Sequence, residues 1–296
     1  MNVITYWEGP KPPLIHVLHR LMHLHINSAE RTNQKNRFHC ITQGEFLSGK
    51  SKSYCNYFTR LHPAFQADIV RVEYIHRNGG IWIDSDTLLM SSLNTLQKIL
   101  QAKHGFFITE RGKNGTKLCN GVFGSKSGTP LLSAWKKIID GYIDRQALPR
   151  HGELGFRCLT RLLINNESLF SQYIVFDGEK TMYPVAWYES QEVFLSKDSI
   201  LPSAIKRDFQ PLIILLNGVY NNYDGLYVNN GKECALDFYI QNSLKNLVID
   251  SPINIEHSTE EINRFEYDRE QLKTMAQNFV QRWSKHTVFD PASDTN

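Results

Sequence analysis

The chain has 296 residues, of which 41% are hydrophobic and 21% are charged, and this is enough apolar material for a sizeable core. The net charge is only +3, with basic and acidic residues interleaved, so the composition excludes a strongly basic nucleic-acid-binding protein. The N-terminus lacks a signal-peptide pattern, no apolar stretch is long enough to span a bilayer, and the five scattered cysteines form no C-x-x-C pair, so we expect a soluble cytoplasmic protein without a disulfide framework.

The first half of the chain alternates predicted strands and helices, which favours an α/β layered fold. The best helix follows Pro63, which suits a first turn, and ends at an Asn78-Gly79 cap, with apolar residues at helical spacing between them. The predicted elements are a strand at Asn2–Trp7, a helix at about Pro13–Ile26, a strand at Arg37–Thr42, the helix after Pro63, strands at Gly105–Thr109 and Gly121–Ser125, and a helix at Pro130–Tyr142.

The second half has a helix predicted at Glu153–Ile164 and short strands in "YIVFD" and "PLIILLN". A longer helix near the C-terminus starts with a capping box, Ser258 to Glu261. Its predicted apolar face consists of Ile262, Phe265, Leu272, Met275, Phe279 and Trp283.

The stretch "NGGIWIDSDTLLM" places two carboxylates, Asp84 and Asp86, directly after a short apolar run. Side chains at i and i+2 of an extended segment point to the same side, so both can face a cleft at the carboxyl end of a strand. Open α/β sheets bind ligands there, and carboxylate oxygens suit Mg²⁺ or Mn²⁺ that takes further ligands from substrate phosphates. An Asp-Ser-Asp turn is the alternative, and the D-x-D pattern alone does not decide between them.

The residues before the two aspartates favour a functional site. Gly79 and Gly80 allow a close approach of another backbone or a ligand. Asp68 and Arg71 lie three residues apart on the preceding helix and therefore share a face.

The segment "ADIVRVEYIHRNGGIWIDSDTLLM" closely resembles the donor-binding core of DxD-containing glycosyltransferases of the GT-A type. Among these it is most similar to the group of glycosylating clostridial toxins, α-1,4-glycosyltransferases and capsular polysaccharide synthesis proteins. The pattern of that group is [S/A]-D-x-x-R followed by G-G-[I/V]-[Y/W]-x-D-x-D, and the resemblance is strongest from Phe58 to Leu93.

The resemblance implies a GT-A type, Rossmann-like nucleotide-sugar-binding fold with a central mixed sheet flanked by helices. It implies transfer of a sugar from a nucleotide sugar, a UDP-sugar by preference, to a glycan or other acceptor, with Mn²⁺ or Mg²⁺ as cofactor and with retention of configuration. The catalytic residues would be Asp84, Asp86, Asp68 and Arg71, and the metal ligands Asp86, Asp84 and Asn217. The donor-binding residues would be Tyr6, Trp7, Asp68, Arg71, Gly79, Gly80, Asp84, Ser85 and Asn120.

The resemblance and the sequence pattern together predict a division of the chain. The glycosyltransferase domain would occupy residues 1–250, with a donor half of about 1–142 and acceptor-side elements at about 143–250. Residues 251–284 would form a C-terminal helical element, and residues 285–296 a flexible tail. The turn "HGELGF" corresponds loosely to a T-G-P turn of the family and departs from it, which leaves Glu153 without an assigned role.

Two alternatives of a different class remain open. "GEFLSGKS", Gly44 to Ser51, satisfies the pattern of a phosphate-binding P-loop and would make the chain an NTPase or kinase that depends on Lys50. A P-loop should follow a buried strand and open a firm helix, whereas "SKSYCNYFTRLHP" has a weak helical pattern. The second alternative is a non-catalytic sugar-binding module.

Histidines near the N-terminus suggest one further site. His16, His19 and His23 share a predicted helix face, with His25 nearby, which suggests a zinc site. Zinc needs three or four converging ligands, so we favour an ordinary, partly exposed side of the helix. The apolar face of the C-terminal helix favours core packing and leaves an oligomer contact possible.

Overall fold

The structure is a computed structural model that describes residues 1–28, 37–90, 93–112, 115–178, 190–195, 213–215, 235–248 and 269–285. The described strands are β1 Asn2–Tyr6, β2 Arg37–Ile41, β3 Gly80–Ile83, β4 Thr87–Leu89, β5 Gly105–Gly112, β6 Gly115–Ser125, β7 Tyr173–Phe176 and β8 Ile213–Leu215. The described helices are α1 Pro13–Ser28, α2 Gln43–Leu47, α3 Lys52–Thr59, α4 Pro63–Asn78, α5 Asn94–Ala102, α6 Pro130–Asp144, α7 Phe156–Asn165, α8 Ser190–Leu195, α9 Ala235–Val248 and α10 Arg269–Lys285.

Six of these strands form one mixed sheet in the order β2-β1-β3-β6-β5-β7. β1 pairs in parallel with β2 and β3, β6 runs antiparallel to both β3 and β5, and β7 is parallel to β5. Helices pack on the sheet, so the predicted α/β fold with a central mixed sheet is confirmed. No helix of the described residues is both long and apolar enough to cross a bilayer.

β3 lies inside the sheet and is buried on both faces. Trp82 belongs to the apolar cluster formed with α4, α6 and α7, whereas Ile81 and Ile83 belong to the cluster formed with α1 and α5. This alternation is the two-residue period of a strand, and burial on both sides explains why the run "GIWI" is apolar throughout. The carboxylates therefore begin where the core ends.

Helix α4 begins and ends as the sequence predicts. Pro63 occupies its first turn, and Gly79 ends it with a φ of 66°, a conformation that favours glycine. Gly80 has a φ of 124°, and a β-carbon there would lie 2.5 Å from the backbone oxygen of Asn2. The two glycines thus allow the sharp turn into β3 and its close pairing with β1.

A second, two-stranded sheet pairs β4 with β8 and lies under α1, α8 and α9. His25 of α1 contacts the hydroxyl of Ser243 on α9 at 2.9 Å, and that hydroxyl donates to the carbonyl of Leu89 at 2.6 Å. Because the Ser243 hydrogen goes to Leu89, the bond from His25 uses its Nε2–H. This buried chain of hydrogen bonds joins α1 and α9 to the strand that follows the two aspartates.

The C-terminal helix α10 belongs to the main core. Leu272 and Ala276 are buried in the same cluster as Trp82, and Phe279 packs edge-on against Phe156 of α7 with 6.0 Å between ring centroids. Leu272 and Phe279 of the predicted apolar face are therefore packed within the chain, and the oligomer contact stays a prediction. The capping box from Ser258 to Glu261, with Ile262 and Phe265, and the side chain of Trp283 lie outside the described residues.

Some boundaries differ from the prediction. β6 starts at Gly115 instead of Gly121, because a long hairpin extends the pairing of β5 and β6. α7 starts at Phe156 instead of Glu153, since Gly152, with a φ of 72°, ends a turn there. The weak pattern after Ser51 is a regular helix, α3, whose first turn Ser51 caps through its hydroxyl.

The histidines of α1 do not form one open face. His16 and His23 are exposed, whereas His19 is 7% exposed and packs edge-on against Phe38. Burial lowers the pKa of His19 to about 3 and that of His25 to about 4. Both rings are therefore neutral in the folded protein at ordinary pH.

These two buried histidines predict acid lability. Below about pH 6.5 the unfolded chain takes up protons that the folded chain binds only near pH 4 or lower, so stability is lost as the pH falls through this window. We expect His25→Gln, which can still donate to Ser243, to reduce the loss between pH 7.5 and pH 5 by roughly 2 kcal/mol in urea unfolding. His16→Gln at the exposed position is the control, and an equal pH dependence in all three proteins would contradict this origin.

Candidate active site

The aspartates follow the carboxyl end of β3, beside the carboxyl end of its parallel neighbour β1. The backbone nitrogen of Asp84 still donates to the carbonyl of Gly121 on β6 at 2.8 Å, and the chain turns away from the sheet at the next residues. Trp7 follows β1 at the same edge and its backbone nitrogen donates to the carbonyl of Ile41 at 3.2 Å. The predicted ligand edge of the sheet is therefore formed by β1, β2 and β3 together.

A bulge in β6 brings backbone and side-chain groups to this edge. Phe107 of β5 pairs with Phe123, but the next residue, Ile108, pairs with Cys119, so residues 120–122 have no partner on β5. In this bulge the carbonyl of Asn120 accepts from Arg71, and the amide of Asn120 donates to Oδ1 of Asp68 at 2.7 Å. Asn120, predicted as a donor contact, is thus placed beside Asp68 and Arg71.

Arg71 connects the helix, the bulge and the end of β3. Its guanidinium is buried, with Nε 3.4 Å from Oδ1 of Asp68 and Nη2 3.2 Å from Oδ1 of Asp84. It also lies over the ring of Trp82, 5.0 Å from the centroid. Asp68 and Arg71 are therefore buried and form one network with Asp84, whose side chain is 33% exposed.

The carboxylate of Asp84 is oriented by a residue that sequence reasoning missed. The indole nitrogen of Trp82 donates to Oδ1 of Asp84 at 2.7 Å, and the same oxygen faces Arg71. Oδ2 lies against Gly121, where a β-carbon would come within 2.8 Å of it. The contacts with Trp82 and Arg71 thus both involve Oδ1 of Asp84, whereas Oδ2 lies beside Gly121.

The network carries more negative than positive charge. Burial raises the pKa of Asp68 to about 6 and the charge of Asp84 contributes, although Arg71 and the amide of Asn120 oppose the shift. Burial also raises the pKa of Asp84, against the effect of Arg71 and the Trp82 indole. One guanidinium does not offset two carboxylates, of which Asp68 is buried and Asp84 is 33% exposed, so the edge favours the approach of a cation.

The donor chemistry of Asp84 and Asp86 fits a hard divalent ion. Asp86 is half-buried and lies in the turn between β3 and β4. Among the described residues, no group of three His, Cys, Asp or Glu side chains converges as a metal site. Mg²⁺ and Mn²⁺ are commonly bound by one or two carboxylates together with substrate phosphates and water, so a pair of aspartates is sufficient.

The third predicted ligand, Asn217, lies outside the described residues. Leu215, two residues before it in the chain, pairs with Thr87, the residue after Asp86. The antiparallel pairing of β4 and β8 therefore runs toward the aspartates.

The remaining predicted residues have different surroundings. Tyr6 is buried in the core and its hydroxyl donates to the side chain of Gln66 at 2.8 Å, while its carbonyl accepts from Ser85 at 2.8 Å. Gly79 and Gly80 lie at the amino end of β3, about 13 Å from Asp84 along an extended strand. The structure does not bring the two glycines to the aspartates, and it gives them the backbone role described above.

Trp7 is half-buried at the edge of the sheet. Its indole nitrogen donates to the carbonyl of Pro10 at 3.4 Å, and its ring packs on the apolar cluster of α1. Trp7, predicted as a donor-binding residue, thus lies at the same edge as Asp84.

The turn before α7 contributes a second residue that the sequence did not reveal. The indole of Trp135 donates to the carbonyl of Leu154 at 2.6 Å and holds this turn against α6. A β-carbon at Gly155 would lie 2.4 Å from the amide nitrogen of Asn120 and 3.0 Å from Oδ1 of Asp68. Glu153 instead accepts from Tyr142 and from the backbone of Arg150, so it stabilises the turn.

The P-loop-like segment does not form an open phosphate cradle. Residues 43–47 are helical, and the ammonium of Lys50 contacts the carboxylate of Glu73 on α4. Lys50 also lies 4.5 Å from the centroid of the Tyr54 ring, and the Tyr54 hydroxyl donates to the same carboxylate. Lys50 therefore fastens the turn before α3 to α4.

This arrangement predicts a structural role for Lys50. We expect Lys50→Ala to lower the free energy of unfolding by about 1–2 kcal/mol, because it removes an ion pair and a cation–π contact, and to leave nucleotide binding unchanged. Urea unfolding and calorimetric titration with ATP, GTP and a UDP-sugar measure the two effects. Lys52→Ala, at an exposed position of α3, is the control. Loss of ATP or GTP binding in Lys50→Ala alone would restore the P-loop alternative.

One family model matches the chain. It is described as capsular polysaccharide synthesis protein and covers residues 24–175, slightly more than half of the chain and including Asp68, Asp84, Asp86 and Asn120. No curated protein matches the chain significantly.

Solved structures show distant similarity. The apo form of the glycosyltransferase GlyE from Streptococcus pneumoniae TIGR4 shares 14% identity over 96% of this chain, with a TM-score of 0.46, and the chain spans 63% of its length. A glycosyltransferase involved in glycosylation of the major capsid of PBCV-1 shares 10% identity over 75% of this chain and 95% of its own, with a TM-score of 0.42. Mouse xyloside xylosyltransferase 1 shares 10% identity over 73% of this chain and 97% of its own, with a TM-score of 0.43. These scores are too low to support an activity.

Proposed function

This chain belongs to the capsular polysaccharide synthesis protein family, and we propose that it acts as a glycosyltransferase that moves a sugar from a nucleotide sugar, a UDP-sugar by preference, to a glycan or another acceptor. The single observation that carries the proposal is the buried network of Asp68, Arg71 and Asp84 with Asn120 at the carboxyl end of β3. Carboxylates, a guanidinium and an amide are the groups that bind sugar hydroxyls, and their excess negative charge fits a bound cation.

Asp86 and Oδ2 of Asp84 would hold the divalent ion, with Asn217 as the predicted third ligand. When bound, Mn²⁺ or Mg²⁺ offsets the charge that develops on the leaving diphosphate. Trp82 and Arg71 keep Oδ1 of Asp84 engaged, so that only Oδ2 turns toward a ligand. This pre-organisation avoids reorientation of the carboxylate when the donor binds.

Asp68 would bind the transferred sugar. Its described contacts fall on Oδ1, which leaves Oδ2 to accept from a hydroxyl group. Gly155 packs directly against Asn120 and Asp68, and its lack of a β-carbon keeps the Asn120 amide in place beside Asp68. Arg71 holds both carboxylates in place, and Trp7 would stack on the base of the nucleotide at the same edge of the sheet. Retention of configuration stays a prediction.

The direct test is Asp86→Asn. We expect Mn²⁺-dependent hydrolysis of UDP-sugars by the wild-type chain and a loss of about a hundred-fold or more in the variant, because one carboxylate charge is removed from the ion. A thermal-shift screen of UDP-, GDP- and CMP-sugars with and without Mn²⁺ identifies the donor, since a ligand that binds the folded state raises the melting temperature.

Asp140→Asn is the matched control, because Asp140 pairs with Lys136 on the outer side of α6. Wild-type donor binding without any turnover would favour the sugar-binding module. Equal activity of Asp86→Asn and the wild type would contradict the proposed site.

Gly155→Ala tests the contact between the turn and the network. The new β-carbon displaces the amide of Asn120, so we expect a rise in the KM for the donor of about ten-fold with a stability loss on the order of 1 kcal/mol. Gly44→Ala is the control, since no atom lies within 4 Å of a β-carbon there. An unchanged KM in Gly155→Ala would show that this turn does not affect donor binding.

A further inference from the structure

The loop between α6 and α7 exposes an unusual apolar side chain. Leu148 is 71% exposed, compared with 43% for Leu244 and 36% for Ile138, the other exposed large apolar residues described. A single exposed leucine is ordinary on a protein surface, so the construction of the loop and its charge decide whether it has a role.

The loop is held rigidly in a conformation that exposes Leu148. The Tyr57 hydroxyl donates to the carbonyl of Ala147 at 2.7 Å, and Arg60 donates to the side chain of Gln146 at 3.0 Å. Gln146 has a φ of 54° and is the one non-glycine residue with a positive φ among those described. Such a backbone is unfavourable for a residue with a β-carbon and persists because these bonds hold it. Leu148 is therefore exposed to solvent by a loop whose conformation these hydrogen bonds fix.

Two arginines flank the exposed leucine in the chain. Arg145 and Arg150 flank it in the loop and are exposed, as is Arg60 beside Gln146. Residues 145–161 carry four arginines and a single acidic residue, so this short stretch has the same net charge, +3, as the whole chain. The acidic residue, Glu153, is occupied by Tyr142 and the backbone of Arg150, and the exposed Asp144 precedes the stretch.

The loop lies near the carboxyl edge of the sheet, which is also the edge that carries Asp84. The backbone nitrogen of Gly128, just before α6, donates to the carbonyl of His76 near the end of α4 at 2.8 Å, so α6 starts beside the end of α4. The bond from Arg60 to Gln146 places the end of α6 beside the start of α4. Because α4 ends at the amino end of β3, its start lies at the carboxyl edge of the sheet.

We propose that this loop docks the chain on an anionic lipid surface, with Leu148 at the boundary of the acyl chains and Arg145 and Arg150 on the lipid phosphates. An apolar side chain flanked by arginines matches the polarity of that interface, and arginines near an anionic leaflet bind it by charge. The catalytic edge then faces the membrane. This inference goes beyond the proposed transferase activity and does not depend on the identity of the donor.

The test is flotation of the full chain with phosphatidylcholine vesicles that contain or lack phosphatidylglycerol. We expect binding only to the vesicles with phosphatidylglycerol, and weaker binding at high salt. Arg145→Gln with Arg150→Gln should lower the partition coefficient by about five-fold for each arginine, the equivalent of about 1 kcal/mol each. Leu148→Ser should lower it by about ten-fold, because the apolar contact is lost.

Matched controls are Leu244→Ser on α9 and Arg77→Gln at the opposite edge, and both should bind like the wild type. No flotation of the wild type with phosphatidylglycerol would overturn the proposal, and so would equal losses in the loop variants and the controls. Retention on immobilised heparin without vesicle binding would also overturn it, in favour of an acidic polymer or protein partner. UDP-sugar hydrolysis by the loop variants should stay at the wild-type level, so a failure here is distinct from a failure of the proposed activity.

Discussion

A buried guanidinium between two carboxylates determines the arrangement of the whole site. Arg71 is 5% exposed and contacts Asp68, Asp84 and the carbonyl of Asn120, which belong to three different elements. Burial of such charges is unfavourable unless they are paired, and one cation pairs incompletely with two anions. Burial raises the pKa of Asp68 to about 6, and the charge of Asp84 adds to this shift, although Arg71 opposes it. A cation with the diphosphate of a donor would relieve this imbalance of charge.

The same interaction couples the site to the core. The Trp82 ring packs among the apolar side chains under α4 and α6, while its indole nitrogen binds Asp84 and its face lies under Arg71. The bulge of β6 supplies the carbonyls that accept from Arg71 and from the backbone of Asp84. Changes in core packing near Trp82 will therefore alter the position of a carboxylate at the edge of the sheet.

Patterns that act through one element were readable from the sequence. The helix α4 with its proline start and glycine end, and the apolar strand followed by aspartates, depend on local backbone preferences and spacing. The P-loop pattern is equally local, yet Lys50 contacts Glu73, a residue on another helix. Spacing alone could not distinguish a phosphate cradle from a turn fastened to its neighbour. Gly80 likewise serves the close pairing of β3 with Asn2, a contact that its position in the sequence does not show.

The sequence by itself determined the α/β layering, the mixed sheet of the resembled family and the position of Asp84 and Asp86 at the end of a buried strand. Only the tertiary structure decided that Trp82 orients Asp84, that the bulge brings Asn120 to Asp68, and that Gly155 packs against both residues. The physical reason is range. Helix caps and strand periods act between neighbours in the chain, whereas these contacts join residues up to 87 positions apart, and their direction depends on how the strands pair and the helices pack.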